Sequence, residues 1–200
     1  MVVGDILTNV VARASSRMFG GVTLSRHQRW TKTMINFTND SFLAAQRLKD
    51  FPAMIRPVIK YFVPELAKIF EHFTLAKELI VPILDDRAKN QHESLDLLQW
   101  LSENADSRSN ETLSAITLHV AFAAIHTSAV AVTHILYDLC AMPNYIQPLR
   151  EEIESALLSE GGRPTKKALL KMSKLDSFMR ESQRFNPLLL SMCISNSAKS

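Results

Sequence analysis

Residues 122–130 read FAAIHTSAV and set one titratable ring and two hydroxyls directly behind a pair of alanines. The imidazole of His126 can take up or release a proton near neutral pH, and the hydroxyls of Thr127 and Ser128 can pass a proton on. Ala123 and Ala124 carry so little side chain that a flat ligand can approach the backbone beside them. This combination predicts a site that handles protons next to a flat ligand.

Each of these residues also has an ordinary structural explanation. A threonine hydroxyl inside a helix often donates to the carbonyl four residues earlier, which for Thr127 belongs to Ala123. His119 and His126 lie seven residues apart and share a helix face, whereas metal-binding histidines on one helix are usually three or four residues apart. No metal site is therefore predicted, and a lone histidine here is expected to be buried with a hydrogen-bond partner.

The segment that carries these residues is long and uncharged. Residues 112–137 contain no Asp, Glu, Lys or Arg, and the pattern predicts one helix over about 111–141. Its length permits a membrane span. Nine Ser, Thr and His side chains in this stretch are too many for a helix that faces lipid, and its ends lack basic clusters and aromatic belts. A helix buried within a large all-α protein is the preferred interpretation.

Apolar periodicity predicts helices on both sides of this segment. The first helix is expected to end at Gly20–Gly21. In the helix predicted at 143–158, the solvent-facing side is expected to carry Glu151, Glu152 and Glu154. The predicted helices lie at 26–48 (Trp30, Met34, Phe37, Ser41 and Ala45 on one face), 53–62, 64–89 with a kink at Pro82, around Leu97, Leu98 and Leu101, and at 143–158, 165–172 and 173–186.

The composition favours a mainly α fold. Five glycines in 200 residues are too few for a turn-rich β architecture. The run PLLLSMCIS, residues 187–195, follows a helix-breaking position and predicts one short terminal β-strand. A net charge of +3 with scattered basic residues gives no basic stripe with interleaved aromatic residues, so nucleic-acid binding is not expected.

A second candidate motif lies in the helix predicted at 173–186. Glu181 and Arg184, within ESQR, are three residues apart and share a helix face. A solvated ion pair worth a few tenths of a kcal/mol is the ordinary interpretation. Apolar neighbours on the same helix, among them Phe178 and Phe185, instead favour partial burial of the pair.

The two motifs and the sequence between them resemble the cytochrome P-450 haem-thiolate monooxygenases. AAIHTS resembles the family's oxygen-binding motif: small residue, Gly or Ala, any residue, acidic residue, Thr, and Thr or Ser. ESQR with the following FNPLLL resembles the family's Glu-x-x-Arg helix and the strand after it, and MPNYIQPLREEIESAL resembles its linking helix. The order and spacing of the motifs agree with the family, and AAIHTS is most similar to its fungal branch.

The resemblance implies a role for each residue of AAIHTS. Thr127 takes the position of the threonine beside dioxygen, where a hydroxyl steers protons before the O–O bond breaks. Ser128 follows it, and Ala123 and Ala124 take the small positions, where a local distortion of the helix makes room for dioxygen. His126 stands where the family has an acidic residue, so the proton relay is expected to differ.

The resemblance also implies a structural pair and a substrate pocket. Glu181 and Arg184 are expected to form part of a buried network that braces the haem-binding core, not a catalytic acid and base. Val120, Phe122 and the segment 187–192, with Leu188, Leu189 and Leu190, are expected to line the pocket. Ordinary core packing explains Phe122 equally well.

The implied activity is oxidative. A family member uses haem, dioxygen and electrons from an NADPH-dependent reductase to oxidise a hydrophobic small molecule, here in secondary metabolism. Full-length members lie at the endoplasmic reticulum membrane, held by an anchor. The competing hypothesis is a non-catalytic all-helical interaction or regulatory protein derived from such an enzyme.

The two cysteines do not fit the family's iron ligand, which lies in a glycine-rich loop downstream of Glu-x-x-Arg. Neither Cys140 nor Cys193 has such a loop around it, so we expect both to be reduced and buried and neither to bind iron. The chain is therefore expected to be a single incomplete cytochrome P-450 domain over residues 1–200. Without the anchor and the cysteine loop it is expected to be inactive alone.

Overall fold

The computed structural model describes residues 3–49, 51–52, 54–55, 63–90, 94–104 and 108–187. Every regular element among these residues is helical, which confirms the mainly α fold class. The strand predicted at 187–195 lies outside the described residues from position 188 onward, and so do Leu188, Leu189, Leu190 and Cys193. Only Met54 and Ile55 of the helix predicted at 53–62 are described, and they form a turn.

The described chain contains eight α-helices and one 3-10 turn. They are α1 (Val3–Arg26), α2 (Gln28–Lys49), α3 (Pro64–Asn90), α4 (Leu97–Glu103), α5 (Asn110–Ala141), the 3-10 turn Pro143–Tyr145, α6 (Ile146–Leu158), α7 (Lys166–Leu170) and α8 (Ser173–Phe185). The chain divides into two compact units, residues 1–128 and 129–200, with the boundary inside α5.

Two glycines break α1 near its end, where the sequence predicts a stop. Gly20 and Gly21 leave helical geometry, and Gly21 has a φ of 74°, a conformation that side chains with a Cβ rarely adopt. A Cβ on Gly20 would lie 2.7 Å from a methyl carbon of Leu24. The break lets the last turn of α1 change direction before α2 begins. In α3, where the sequence predicts a kink at Pro82, the helix continues through this residue from Pro64 to Asn90.

The core of the first unit lies between α1, α2, α3, α4 and the first half of α5. Trp30, Met34 and Phe37 of α2 are buried on the predicted face. The extension of that face to Ala45 is wrong: Ala45 is exposed and Ala44 is buried, because seven residues, two turns of helix, separate position 44 from Phe37. Leu98 and Leu101 of α4 point inward as predicted.

A buried ion pair fixes α4 to the end of α3. Both terminal guanidinium nitrogens of Arg87 donate to the carboxylate of Asp96, at 2.7 and 2.6 Å. The two side chains are only 13% and 3% exposed. Asp96 is also the N-cap of α4, where it accepts from the Gln99 amide at 3.0 Å. One carboxylate therefore satisfies a buried cation and a free helix amide at once.

The second unit has a small core of its own. Ala156, Ala168 and Met172 are buried together, and Glu152 of α6 links this core to α8. The sequence predicts Glu152 on the solvent-facing side of its helix, and this prediction is wrong. Its carboxylate accepts hydrogen bonds from the backbone amides of Lys174 and Leu175, at 2.8 and 2.9 Å. Partial burial raises the pKa of Glu152, but these amides at the start of α8 outweigh it and hold the pKa below its usual value.

Two further expectations concern the surface. The sequence predicts a buried Cys140, but this residue is exposed, because it lies near the end of α5 on a side that no described helix covers.

Among the described helices, α5 is long and apolar enough to cross a membrane on length and composition alone. A core helix of a soluble protein passes the same test.

We expect Asp96→Asn to lower the free energy of unfolding by about 3 kcal/mol, because it leaves the buried Arg87 without a counter-charge. Adding Arg87→Met should restore most of the loss, since no unpaired charge then remains. Urea denaturation of the chain measures both values.

The control is Asp176→Asn, which breaks the exposed pair Asp176–Arg180 and should change stability by less than about 1 kcal/mol. Equal effects of Asp96→Asn and Asp176→Asn would show that the Arg87–Asp96 pair is not buried in solution.

Candidate functional site

The predicted site residues lie on α5, and the packing of that helix decides which way each side chain points. Leu118, Ala121 and Ile125 are fully buried in the core of the first unit. His119, Ala123 and Thr127 are exposed. These three residues follow one another at four-residue steps, so they form one row along the helix. We call the row His119–Ala123–Thr127 the open row.

Thr127 uses its proton within the helix. Its Oγ1 donates to the Ala123 carbonyl at 2.8 Å, with a second, longer contact to the Ala124 carbonyl at 3.3 Å. A hydroxyl has one proton and two lone pairs. With the proton engaged, the lone pairs of Thr127 remain free to accept a hydrogen bond from water or from a ligand on the open row.

The helix is regular at this position. Every residue of α5 from Asn110 to Ala141 is α-helical, so the local distortion that the resemblance implies is not found. The Thr127 hydroxyl bonds to the Ala123 carbonyl without interrupting the helix. Ala123 still leaves its stretch of helix surface free of bulk.

His126 shares its helix face with His119, the first residue of the open row, but its ring turns into the protein. Its ring is half-buried beside Ile35 of α2, and its Nε2 is buried without a hydrogen-bond partner among the described residues. Burial lowers the pKa of His126, and the nearby Ile35 carbonyl offsets this only in part. The expected hydrogen-bond partner for Nε2 is therefore missing, and the ring favours its neutral form.

The structure does not bring His126 and Thr127 together. No hydrogen bond joins them among the described contacts, and consecutive residues on a helix point about 100° apart. Ser128 is exposed beside Thr127. Of the predicted proton-handling groups, the two hydroxyls are open to the surface and the imidazole is turned into the protein.

Val120 and Phe122 lie on different sides of α5, because residues two apart do not share a helix face. Phe122 packs against the rings of Phe37 and Phe42, with centroids 6.0 and 5.6 Å away. Val120 lies in a groove with Phe19 and Trp100. The ring contacts of Phe122 are those of core packing, the alternative left open by the sequence.

Glu181 and Arg184 form an ion pair on α8. The guanidinium donates twice to the carboxylate, at 2.9 and 2.6 Å. These hydrogen bonds and the attraction between the charges lower the pKa of Glu181 and raise that of Arg184. The predicted burial is not found: the side chains are 56% and 63% exposed, because no described element covers this face of α8.

Glu181 borders a groove of about 950 Å³ in the second unit. At its edge Asp138 of α5 accepts from Ser182 Oγ at 2.5 Å and from Asn186 Nδ2 at 3.4 Å. These contacts fix α8 to the end of α5. Sequence reasoning missed Asp138, because its partners are more than 40 residues away and no local pattern points to them.

His119 is the other residue whose placement the sequence did not predict. Its Nδ1 lies 2.8 Å from the Ala115 carbonyl, and its ring packs against Phe37 and Phe73, with centroids 5.9 and 5.4 Å away. The sequence carried a signal for this placement, because His119, Ala123 and Thr127 are each four residues apart and such residues are neighbours on a helix surface.

The sequence matches known proteins over nearly its whole length. A family model described as Cytochrome P450 matches residues 2–195. The cytochrome P450 monooxygenase braC of Annulohypoxylon truncatum is 37% identical over 92% of the chain, and olcJ of Penicillium canescens is equally similar. Ent-kaurene oxidase P450-4 of Gibberella fujikuroi is 33% identical over 94% of the chain. The chain spans 38%, 36% and 37% of the lengths of these three relatives.

We expect His126 to make stability depend on pH. The folded protein resists protonation of the half-buried ring, whereas the unfolded chain takes up a proton near the usual pKa of 6.5. The contribution of the neutral ring to stability is therefore complete above about pH 6.5. It is lost as pH falls from there toward the lowered pKa of the folded state, and it does not change further below that pKa.

The measurement is the free energy of unfolding in urea between pH 7.5 and 5.5, for the original chain and for His126→Gln. The stability of the original chain relative to His126→Gln should fall across this range. Ser128→Ala, a change at an exposed residue that does not titrate, should keep the original profile. A constant difference between the original chain and His126→Gln would mean that the ring is not buried.

Proposed function

The chain belongs to the cytochrome P450 family, and from this we propose that it forms part of a haem monooxygenase that oxidises a hydrophobic small molecule. The observation that carries the proposal is the family match over residues 2–195. Ala123, Thr127 and Ser128 of the predicted oxygen-binding segment are exposed on α5. Electrons are delivered by an NADPH-dependent reductase. The fungal relatives and the name ent-kaurene oxidase support a role in secondary metabolism.

The residues of the open row fit one side of a haem. Ala123 is exposed and carries only a methyl group, so a flat ring system can lie close to the helix there. When bound, haem supplies electron transfer and the cleavage of the O–O bond. Ala123 would bound the space beside the ring, and Ala124, half-buried next to it, would add no bulk.

The chain contributes proton positioning at Thr127. Its Oγ1 proton is held by the Ala123 carbonyl, so the oxygen presents lone pairs to the open row and can hold the O–H of a water molecule there. Ser128 offers a second exposed hydroxyl one residue on. His126 positions α5 against α2 and tunes the relay only indirectly, because its half-buried ring lies beside Ile35 of α2 and not beside the Thr127 hydroxyl.

The described residues do not supply the thiolate. Cys140 is exposed near the end of α5, thirteen residues beyond Thr127, and no glycine-rich loop surrounds it. Residues 1–200 alone are therefore proposed to form no haem-thiolate centre and to be inactive. The same observation favours the second candidate for these residues in isolation, a non-catalytic helical protein. Where the gene encodes the remaining segments, the whole protein is an oxidase at the endoplasmic reticulum membrane.

Glu181 and Arg184 are proposed to brace the haem-binding core. Their bidentate geometry holds two charged groups in a fixed orientation. Both are exposed in the described residues, so the pair is available to a further charged group. Neither residue is proposed as a catalytic acid or base.

The carbon monoxide spectrum tests the proposal directly. Residues 1–200 and the longest polypeptide that the gene encodes are each loaded with haem, reduced and exposed to carbon monoxide. The red-shifted Soret band of thiolate-ligated haem is expected only from a polypeptide that includes a cysteine loop beyond residue 200. A band from residues 1–200 would contradict the assignment of the cysteines. If a polypeptide with the cysteine loop gave no such band, the proposed monooxygenase function would be contradicted.

The role of Thr127 predicts an uncoupled enzyme when its hydroxyl is removed. In the polypeptide that gives the Soret band, Thr127→Val should lower the product formed per NADPH consumed by roughly tenfold, the scale of one hydrogen bond of about 1.4 kcal/mol. Thr127→Ser keeps the hydroxyl and should retain most of the ratio. If Thr127→Val and Thr127→Ser formed equal amounts of product per NADPH consumed, the Thr127 hydroxyl would have no role in the reaction.

A further inference from the structure

We propose that Asp138 is a positioning residue for the haem site, because its carboxylate holds the end of α8 that carries Glu181 and Arg184. The inference rests on the proposed function, in which this pair braces the haem-binding core. It adds a residue of α5 that acts on the site only through the placement of α8.

The carboxylate of Asp138 binds the C-terminal end of α8 through two side chains. Its Oδ2 accepts from the Ser182 hydroxyl at 2.5 Å and from the Asn186 side-chain amide at 3.4 Å. A hydrogen bond from a hydroxyl to a carboxylate is about twice as strong as one between neutral groups. Ser182 is only 5% exposed, so its hydroxyl would lose its partner in a buried place if Asp138 were removed.

Asn186 connects the same carboxylate to the backbone of α8. It is the C-cap of the helix, and its backbone amide donates to the Ser182 carbonyl at 2.9 Å. The side-chain amide of Asn186 donates to the same carbonyl at 3.3 Å. Asp138 therefore contacts both the buried face and the cap of α8, within one turn of Glu181 and Arg184.

The buried face of α8 sets the rotation of the helix about its own axis. Phe178 and Ser182 are four residues apart and both are buried. The Phe178 ring packs against the ring of Tyr145, with centroids 5.5 Å apart. Consecutive residues of a helix point about 100° apart, so the direction of Ser182 also fixes the direction of Glu181. The hydrogen bond to Asp138 thus decides where the Glu181–Arg184 pair presents its charges.

A second carboxylate holds the opposite end of α8 and provides a matched control. Glu152 accepts the amides of Lys174 and Leu175 at 2.8 and 2.9 Å, about two turns of helix before Glu181. Removal of Glu152 should loosen the start of α8, whereas removal of Asp138 should loosen the end that carries the pair. If Asp138 only stabilised α8, the two changes would have the same effect on the haem site.

The first test locates the effect of each carboxylate within residues 1–200. Amide hydrogen exchange is followed by NMR in Asp138→Ala and Glu152→Ala. Asp138→Ala should speed the exchange of the amides of residues 182–186 about tenfold or more, the scale of one charge-assisted hydrogen bond. Glu152→Ala should instead speed the exchange of the Lys174 and Leu175 amides. Unchanged exchange at residues 182–186 in Asp138→Ala would overturn the proposal.

The second test reads the haem site itself. The longest polypeptide that the gene encodes is loaded with haem, reduced and exposed to carbon monoxide in buffer without denaturant. We expect Asp138→Ala to lower the fraction of haem that gives the red-shifted Soret band at least about threefold, within the range that one such hydrogen bond controls. Asp138→Asn, whose amide oxygen still accepts from Ser182, should keep most of this fraction, and Glu152→Ala should keep all of it.

Ser182→Ala removes the donor in place of the acceptor and should lower the fraction as Asp138→Ala does. It also decides the question if Asp138→Ala fails to fold, which circular dichroism would show. An unchanged fraction in the folded variants, or an equal loss in Glu152→Ala, would remove the role of Asp138 and leave the proposed function intact. If the original polypeptide gives no band, the proposed function fails and this inference fails with it.

Discussion

The burial of one stripe of α5 is the constraint on which the candidate site depends. Leu118, Ala121 and Ile125 are fully buried, and each is worth about 1–3 kcal/mol of transfer free energy in proportion to its size. With this stripe fixed, the rotation of the helix is fixed. Ala123 and Thr127 must then point outward, and His126 must turn toward α2. The chemistry available at the site follows from packing on the other side of the helix.

Local patterns predicted much of this structure. The uncharged run gives a helix at Asn110–Ala141, against a predicted 111–141, because apolar periodicity and the flanking breakers act within a few residues. The two glycines after Met18 mark the break in α1 for the same reason. Thr127 bonds to Ala123, as the sequence allowed. These features depend on neighbours that are close along the chain.

Features that depend on distant partners were not predictable from one sequence. Asp96 has no local sign of being buried against Arg87, and Glu152 looks like any solvated carboxylate until the amides of α8 reach it. The burial expected for Glu181 and Arg184 failed for the same reason, because burial is decided by whatever packs over α8. Sequence spacing predicts that two side chains can meet, but it does not predict what covers them.

The direction of His126 separates two roles that the motif alone would combine. A proton relay needs the imidazole and the Thr127 hydroxyl to share partners on one face. Here the half-buried ring contacts α2, and this burial lowers the pKa of His126. Its Nε2 has no hydrogen-bond partner among the described residues. These contacts are those of a residue that positions two helices. The donor for Thr127 must then come from water or from a bound ligand. A histidine in this position can preserve the helix arrangement while the hydroxyls alone handle protons.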